Sequence, residues 1–226
     1  MTTVITIWLV LPLFVGFCIY LLPRVDRLLA LSVAVLSAVL GGLLIVQQAA
    51  LDVTLLDNFG VSLRLDSQSG FFILTNALVM AAVLLYCWAS DRHAYFYTQL
   101  SILHGSLNSI FVCNDFMSVY VALECASIAI FLLIAHNRME RSLWVALRYL
   151  FVSNTAMLFY LMGAILVYQT TASFAFSGLS QAPVDAIALI LVGLLTKGGV
   201  FLSGLWLPLT HSESEIPVSA MLSGVA

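Results

Sequence analysis

Seven apolar runs govern what this chain can fold into. They lie near residues 4–22, 28–47, 69–89, 95–112, 116–135, 143–168 and 186–207. At about 1.5 Å per residue, such runs span, or nearly span, a hydrocarbon core about 30 Å thick. Soluble domains carry about 25% charged residues. This 226-residue chain carries 8%, with 62% hydrophobic residues and a mean hydropathy of +1.10. A soluble fold could not hide that much apolar surface, so lipid must be the solvent for most of it. The expected fold class is all-α: a polytopic transmembrane helical bundle of about seven spans, forming a single membrane domain over 1–226. An eighth apolar segment opens at Val218-Ser219-Ala220 and the sequence stops at Ala226. That ending reads as an incomplete chain or a split gene product. The start MTTVITIWLVLPLF lacks a basic leader and a small-residue cleavage site, and reads as a first transmembrane helix.

Charge placement sets the expected orientation. Arg24 and Arg27 follow the first run, Arg92 the third, and Arg138 and Arg141 the fifth, with Arg148 just inside the sixth. The alternate loops carry only Arg64. The positive-inside rule then puts the N-terminus outside. The expected location is the inner (plasma) membrane, with thylakoid or mitochondrial inner membrane as alternatives. The loop LDVTLLDNFGVSLRLDSQSG alternates apolar and polar residues about Asn58-Phe59-Gly60, which predicts a small outer β-hairpin. A net charge of −3 gives no reason to expect a nucleic-acid partner. Cys18, Cys87, Cys113 and Cys125 form no CxxC pair or metal-ligand spacing and read as small core residues. No P-loop, dinucleotide fingerprint, HExxH or nucleophile elbow is present, and no cofactor is expected.

Two ionisable residues fall deep inside apolar runs. Lys197 is the only lysine, near the middle of AIALILVGLLTKGGVFLSGLWLPL. A lysine at the bilayer centre costs about 2.5–3.5 kcal/mol on insertion scales. It must therefore face protein or a water-filled cavity, where its surroundings govern its proton. Gly193, Gly198 and Gly199 flank it and predict a partly opened helix there, as in discontinuous transporter helices. Glu124 lies within DFMSVYVALECASIAIFLLIA, nine residues after Asp115. The pair reads as a coupled proton-transfer site, against the plainer reading of a structural ion pair. His104, mid-run in LSILHGSLNSIF, is a possible relay or a packing histidine. Ser153 and Asn154, with Thr155, place polar groups inside the sixth run, to hold water or join helices. His211, with Glu213 and Glu215, is a candidate proton entrance or a solvated loop. Arg148 is expected to reach the membrane boundary, and Asp115 to cap the fifth helix.

These residues together resemble the superfamily of antiporter-like subunits shared by Mrp-type cation/proton antiporters and respiratory complex I. Asp115 followed by Glu124 looks like the family's fifth helix, with Leu123 where an aromatic residue is usual. Arg148-Tyr149-Leu150-Phe151 looks like the opening of its sixth helix, with Arg in place of a common Lys. Lys197 with Phe201, Trp206-Leu207-Pro208, His211 and Pro217-Val218-Ser219-Ala220 carry the strongest match, over about 60–226. Leu202 stands where the family often has proline, and Glu215 replaces another proline. Family members have about fourteen helices, including two inverted five-helix repeats. The resemblance thus implies helices 1–7, with the first repeat lacking its last helix. It also implies that Glu124 tunes the charge of Lys197, which exchanges protons with water and passes charge to a partner residue. The implied partners are other membrane subunits, the lipid bilayer, protons and monovalent cations. The first expectation is a sodium/proton antiporter subunit of Mrp type D. The second is a proton-pumping subunit of a complex I-type quinone oxidoreductase. The third is a structural assembly subunit.

Overall fold

The computed structural model describes residues 2–48, 50–56, 61–90, 92–137, 139–200 and 204–224. Asn58-Phe59-Gly60, Arg138, Phe201 and Leu202 lie outside the described residues. The chain divides into two units.

The first unit comprises residues 1–51, 64–112 and 214–226. It holds helices α1 (Thr2–Leu21), α2 (Asp26–Gln47), α3 (Ser67–Tyr86), α4 (Ala94–Val112) and α9 (Ile216–Gly224). Within it α2 packs on α3, α1 on α4, and α9 on α3. The start of α3 is fixed by a reciprocal cap. Asp66 accepts from the Ser69 backbone N–H at 2.9 Å, and Ser69 Oγ accepts from the Asp66 N–H at 2.8 Å. Two donors that the helix cannot satisfy internally are thereby paired. Along α1, Ile7, Val10, Phe14, Phe17 and Leu21 form one exposed apolar stripe at three- and four-residue spacing. Such a face is at ease in hydrocarbon and costly in water.

The second unit comprises residues 52–63 and 113–213. Its helices are α5 (Phe116–Ile134), α6 (Glu140–Thr171), α7 (Val184–Lys197) and α8 (Trp206–Glu213). The strands β1 (Leu51–Leu56) and β2 (Val61–Leu65) pair in the predicted two-stranded sheet. Asp115 is the expected cap of α5, accepting from the Ser118 N–H at 2.7 Å. Its second oxygen accepts from the Ser62 N–H at 2.8 Å, so one buried carboxylate ties β2 to the helix start. Phe116, Met157, Tyr160, Ala164, Val167, Ala186 and Ile190 form the core between α5, α6 and α7.

Among the described residues, four helices, α2, α3, α5 and α6, are long and apolar enough to cross a membrane. The protein is a multi-pass helical membrane protein with a small hairpin. The seventh run, 186–207, is interrupted beside Lys197, where its glycines predict an opened helix. The helix α7 ends at Lys197, and a second helix, α8, starts at Trp206.

Candidate functional site

The break after Lys197 has a defined chemistry. Gly199 adopts φ +69°, a left-handed conformation that glycine accepts without strain. The Gly199 N–H donates to the Thr196 carbonyl at 3.2 Å, and the Val200 N–H to the Leu195 carbonyl at 3.0 Å. This is the Schellman pattern of a helix C-terminus. The Trp206 indole N–H adds a third tie, donating to the Thr196 carbonyl at 3.1 Å. Lys197 therefore occupies the last turn of α7, at the negative end of its dipole, where a cation is favoured.

Close packing on α6 positions this terminus. A Cβ at Gly193 would lie 2.7 Å from the Ala156 carbonyl and 2.9 Å from the Tyr160 nitrogen. A Cβ at Gly163 would lie 2.7 Å from the Ala186 carbonyl. One glycine on each helix thus lets the two backbones touch, at Gly193 about one turn before the lysine and at Ala186 about three turns before it.

The ammonium of Lys197 meets three acceptors from two other helices. It donates to the Leu123 carbonyl of α5 at 3.0 Å, to Ser153 Oγ of α6 at 3.0 Å, and to Ser127 Oγ of α5. Ser127 and Ser153 are themselves 3.0 Å apart, and Ser127 donates to Leu123 O at 2.7 Å. All three ammonium donors are matched. The Tyr149 hydroxyl adjoins both serines. The Tyr149 ring packs on Trp206, with centroids 5.0 Å apart. Both serines are buried, whereas Lys197 and Glu124 are half-buried within the chain rather than fully enclosed.

Glu124 lies one turn before Ser127 on α5, near enough to Lys197 for their charges to interact. The two make no direct contact. The ion pairs among the described residues are Arg64–Asp66, Arg92–Glu215 and Arg141–Glu213. A Glu124 oxygen, Oε1, is buried without a hydrogen-bond partner. The arrangement is a cation held by neutral oxygens, with a carboxylate near but unbound.

The other candidates fall elsewhere. Asn154 is exposed on α6, turned away from Ser153, and Thr155 is likewise exposed and bonds to the Phe151 carbonyl. Successive residues on a helix point about 100° apart, so Asn154 does not share the face of Ser153. His104 belongs to the first unit. It is fully buried, with Nε2 3.0 Å from Ser37 Oγ and 3.1 Å from Asn108 Nδ2. Asn76 donates to Asn108 Oδ1 at 2.8 Å and to the His104 carbonyl at 3.2 Å. His211 lies on α8, half-buried. The two glutamates expected to serve with it are engaged: Glu213 with Arg141 at 2.8 Å and Glu215 with Arg92. Arg148 stacks over Trp144 at 5.5 Å. Ser127, the Leu123 carbonyl and Tyr149 were not singled out from sequence. The spacing of Ser127 three residues after Glu124 was the available signal.

Residues 113–226, half of the chain, match the family described as NADH:quinone oxidoreductase/Mrp antiporter, TM. The chain is 30% identical over 182 residues to NADH-quinone oxidoreductase subunit N of Desulforudis audaxviator, covering 74% of this chain and 36% of that protein. It is 28% identical over 178 residues to NAD(P)H-quinone oxidoreductase chain 4-2 of Synechocystis, covering 74% of this chain and 32% of that one. The chain spans about a third of the length of these curated relatives. Its fold is similar to a chain of the Mrp complex from Dietzia, with a TM-score of 0.88 at 16% identity. That match covers 99% of this chain and 46% of the other. It is similar also to a chain of respiratory complex I from Thermus thermophilus, with a TM-score of 0.77 at 21% identity. There 96% of this chain and 52% of the other are covered.

Proposed function

Because this chain belongs to the NADH:quinone oxidoreductase/Mrp antiporter transmembrane family, we propose that it translocates protons as a membrane subunit of a multisubunit complex. The observation that carries this reading is the Lys197 ammonium, held by Leu123 O, Ser127 Oγ and Ser153 Oγ at the C-terminus of α7. An ammonium in ion-pair contact with a carboxylate would be locked in its charged form by that partner. Here the three acceptors are neutral, and hydroxyls can also donate, so the same cradle can serve an amine that has given up its proton. Glu124 acts at a distance: its charge biases the proton on Lys197 without holding the side chain. The Ser127 and Ser153 hydroxyls supply the hydrogen-bonding groups through which a proton leaves.

On this reading α1, α4 and the paired segments α7 and α8 complete seven crossings with α2, α3, α5 and α6. The arginines at 24, 27, 92 and 141 then gather on the cytoplasmic side and the N-terminus lies outside. The partners are the other membrane subunits of the complex, the lipid, and protons. Two energy sources fit. Exchange against a monovalent cation such as sodium would place the chain in an Mrp-type antiporter. Redox-driven pumping would place it in a quinone oxidoreductase, and the identity to NADH-quinone oxidoreductase subunit N favours this second reading.

Replacing Lys197 in the assembled complex tests the proposal. Lys197→Ala is expected to abolish proton flux in inverted membrane vesicles while subunit assembly on a native gel is unchanged. Full flux in that variant would refute a role for the lysine. Driving the same vesicles with a sodium gradient or with NADH separates the two energy sources.

A further inference from the structure

The first unit holds a cavity of about 390 Å³ where α1 gives way to α2 and α3 approaches α4. Arg24, Arg27, Arg92, Asp26 and Trp88 line it. The three arginines are held in different ways. Arg27 crosses from α2 to the turn after α3, donating to the Trp88 carbonyl and to the Ser90 carbonyl at 3.1 Å. Those carbonyls fix its guanidinium and leave its charge uncompensated. Arg92 pairs with Glu215 and lies over the Phe96 ring at 4.6 Å. Arg24 is exposed and makes no hydrogen bond or ion pair with the described residues. Asp26 is buried and accepts from the Arg27 backbone N–H at 2.6 Å, so it is turned to its own helix.

Among the described residues, Glu215 pairs with Arg92, while Arg24 and Arg27 make no ion pair. Guanidinium groups bind phosphate oxygens bidentately, and an anchored guanidinium loses little entropy in doing so. The surroundings of the cavity are apolar: Leu22 and Leu28 are 58% and 60% exposed, and the Trp88 indole is 38% exposed. A tryptophan and arginines at the end of membrane helices are what the headgroup layer accommodates.

We propose that this cavity binds the phosphate group of an anionic phospholipid, with the acyl chains lying along the apolar ends of α1 and α2. Arg24 and Arg27, two guanidiniums without an ion pair among the described residues, line the cavity and complement one phosphodiester. Arg27 is the fixed donor, Arg24 is the free arm that closes on the phosphate, and Trp88 flanks the glycerol. A zwitterionic lipid carries the same phosphate but brings an ammonium group toward the arginines, so it is disfavoured.

The test is native mass spectrometry of the purified chain in detergent micelles containing equal phosphatidylglycerol and phosphatidylcholine. The wild type is expected to retain phosphatidylglycerol several-fold over phosphatidylcholine. Arg24→Gln, which breaks no hydrogen bond or ion pair with the described residues, should bring the two lipids close to parity with its circular dichroism unchanged. Arg141→Gln, which removes an equal charge outside the cavity, should keep the preference. A further arm adds inorganic phosphate. Displacement of the lipid at millimolar phosphate supports the phosphate site and assigns it to the free ion, whereas retention assigns it to lipid. Equal retention of both lipids by the wild type, an undiminished preference in Arg24→Gln, or equal losses in Arg24→Gln and Arg141→Gln would each overturn the proposal.

Discussion

At the scale of single residues, Ser127 is the sharpest test of the lysine cradle. It accepts from Lys197, donates to Leu123 O and touches Ser153. A hydrogen bond to a charged group contributes about 1.5–3 kcal/mol. Ser127→Ala is therefore expected to lower proton flux by about tenfold or more per assembled complex, and Ser127→Thr to retain most of it. An alanine variant with wild-type flux would remove Ser127 from the path. Cys113 gives a second prediction at this scale. It sits in the turn between α4 and α5, where burial, with the nearby Asp115 charge, pushes its thiol up to about 12. Only thiolate is nucleophilic. At pH 8 the folded protein's Cys113 should thus stay a thiol and react with iodoacetamide far more slowly than after denaturation. Peptide mapping of the labelled cysteines reads this directly.

At the scale of elements, most boundaries were legible because apolar runs in a membrane chain leave few alternatives. The run 116–135 becomes α5 at Phe116–Ile134, and 28–47 becomes α2 at Asp26–Gln47. The seventh run is divided by a feature that hydropathy alone does not weigh. Hydropathy registers Gly198 and Gly199 as neutral, while their effect is geometric: a glycine at the αL position after a lysine is a helix stop. The opened helix around Lys197 was expected from these glycines, but as a loosening rather than a capped end. Within the site, Lys197 and Glu124 stood out because charge in an apolar run is costly. Ser127 did not, since a hydroxyl there can bond to its own helix. Gly199→Ala tests the cap. Left-handed backbone at an L-residue costs about 1–2 kcal/mol, and the added Cβ would lie 3.1 Å from Leu207 Cδ2. The variant is expected to lose about that much thermal stability and to reduce flux by displacing Lys197. A variant as stable and active as the wild type would show that the cap does not position the lysine.

At the scale of the whole molecule, the polar residues buried in the two units do different work. In the second unit a cation sits among hydroxyls. In the first, His104 sits in a closed set of amides and one hydroxyl. Asn108 Nδ2 donates to both Ser37 Oγ and His104 Nε2, and Asn108 Oδ1 accepts from Asn76. That pattern makes Nε2 an acceptor and puts the ring proton on Nδ1, which has no partner among the described residues. A relay needs a ring whose two nitrogens exchange roles, and here one nitrogen is committed by its neighbours. The network thus favours packing, the plainer of the two readings of this histidine. Removing its centre should strand several buried polar groups at about 1–3 kcal/mol each. His104→Ala is therefore expected to lower the unfolding temperature and the yield of assembled complex, while flux per assembled complex stays within about twofold of wild type. Lys197→Ala should show the reverse pattern, with assembly kept and flux lost. If His104→Ala assembles normally and loses flux, the histidine carries protons.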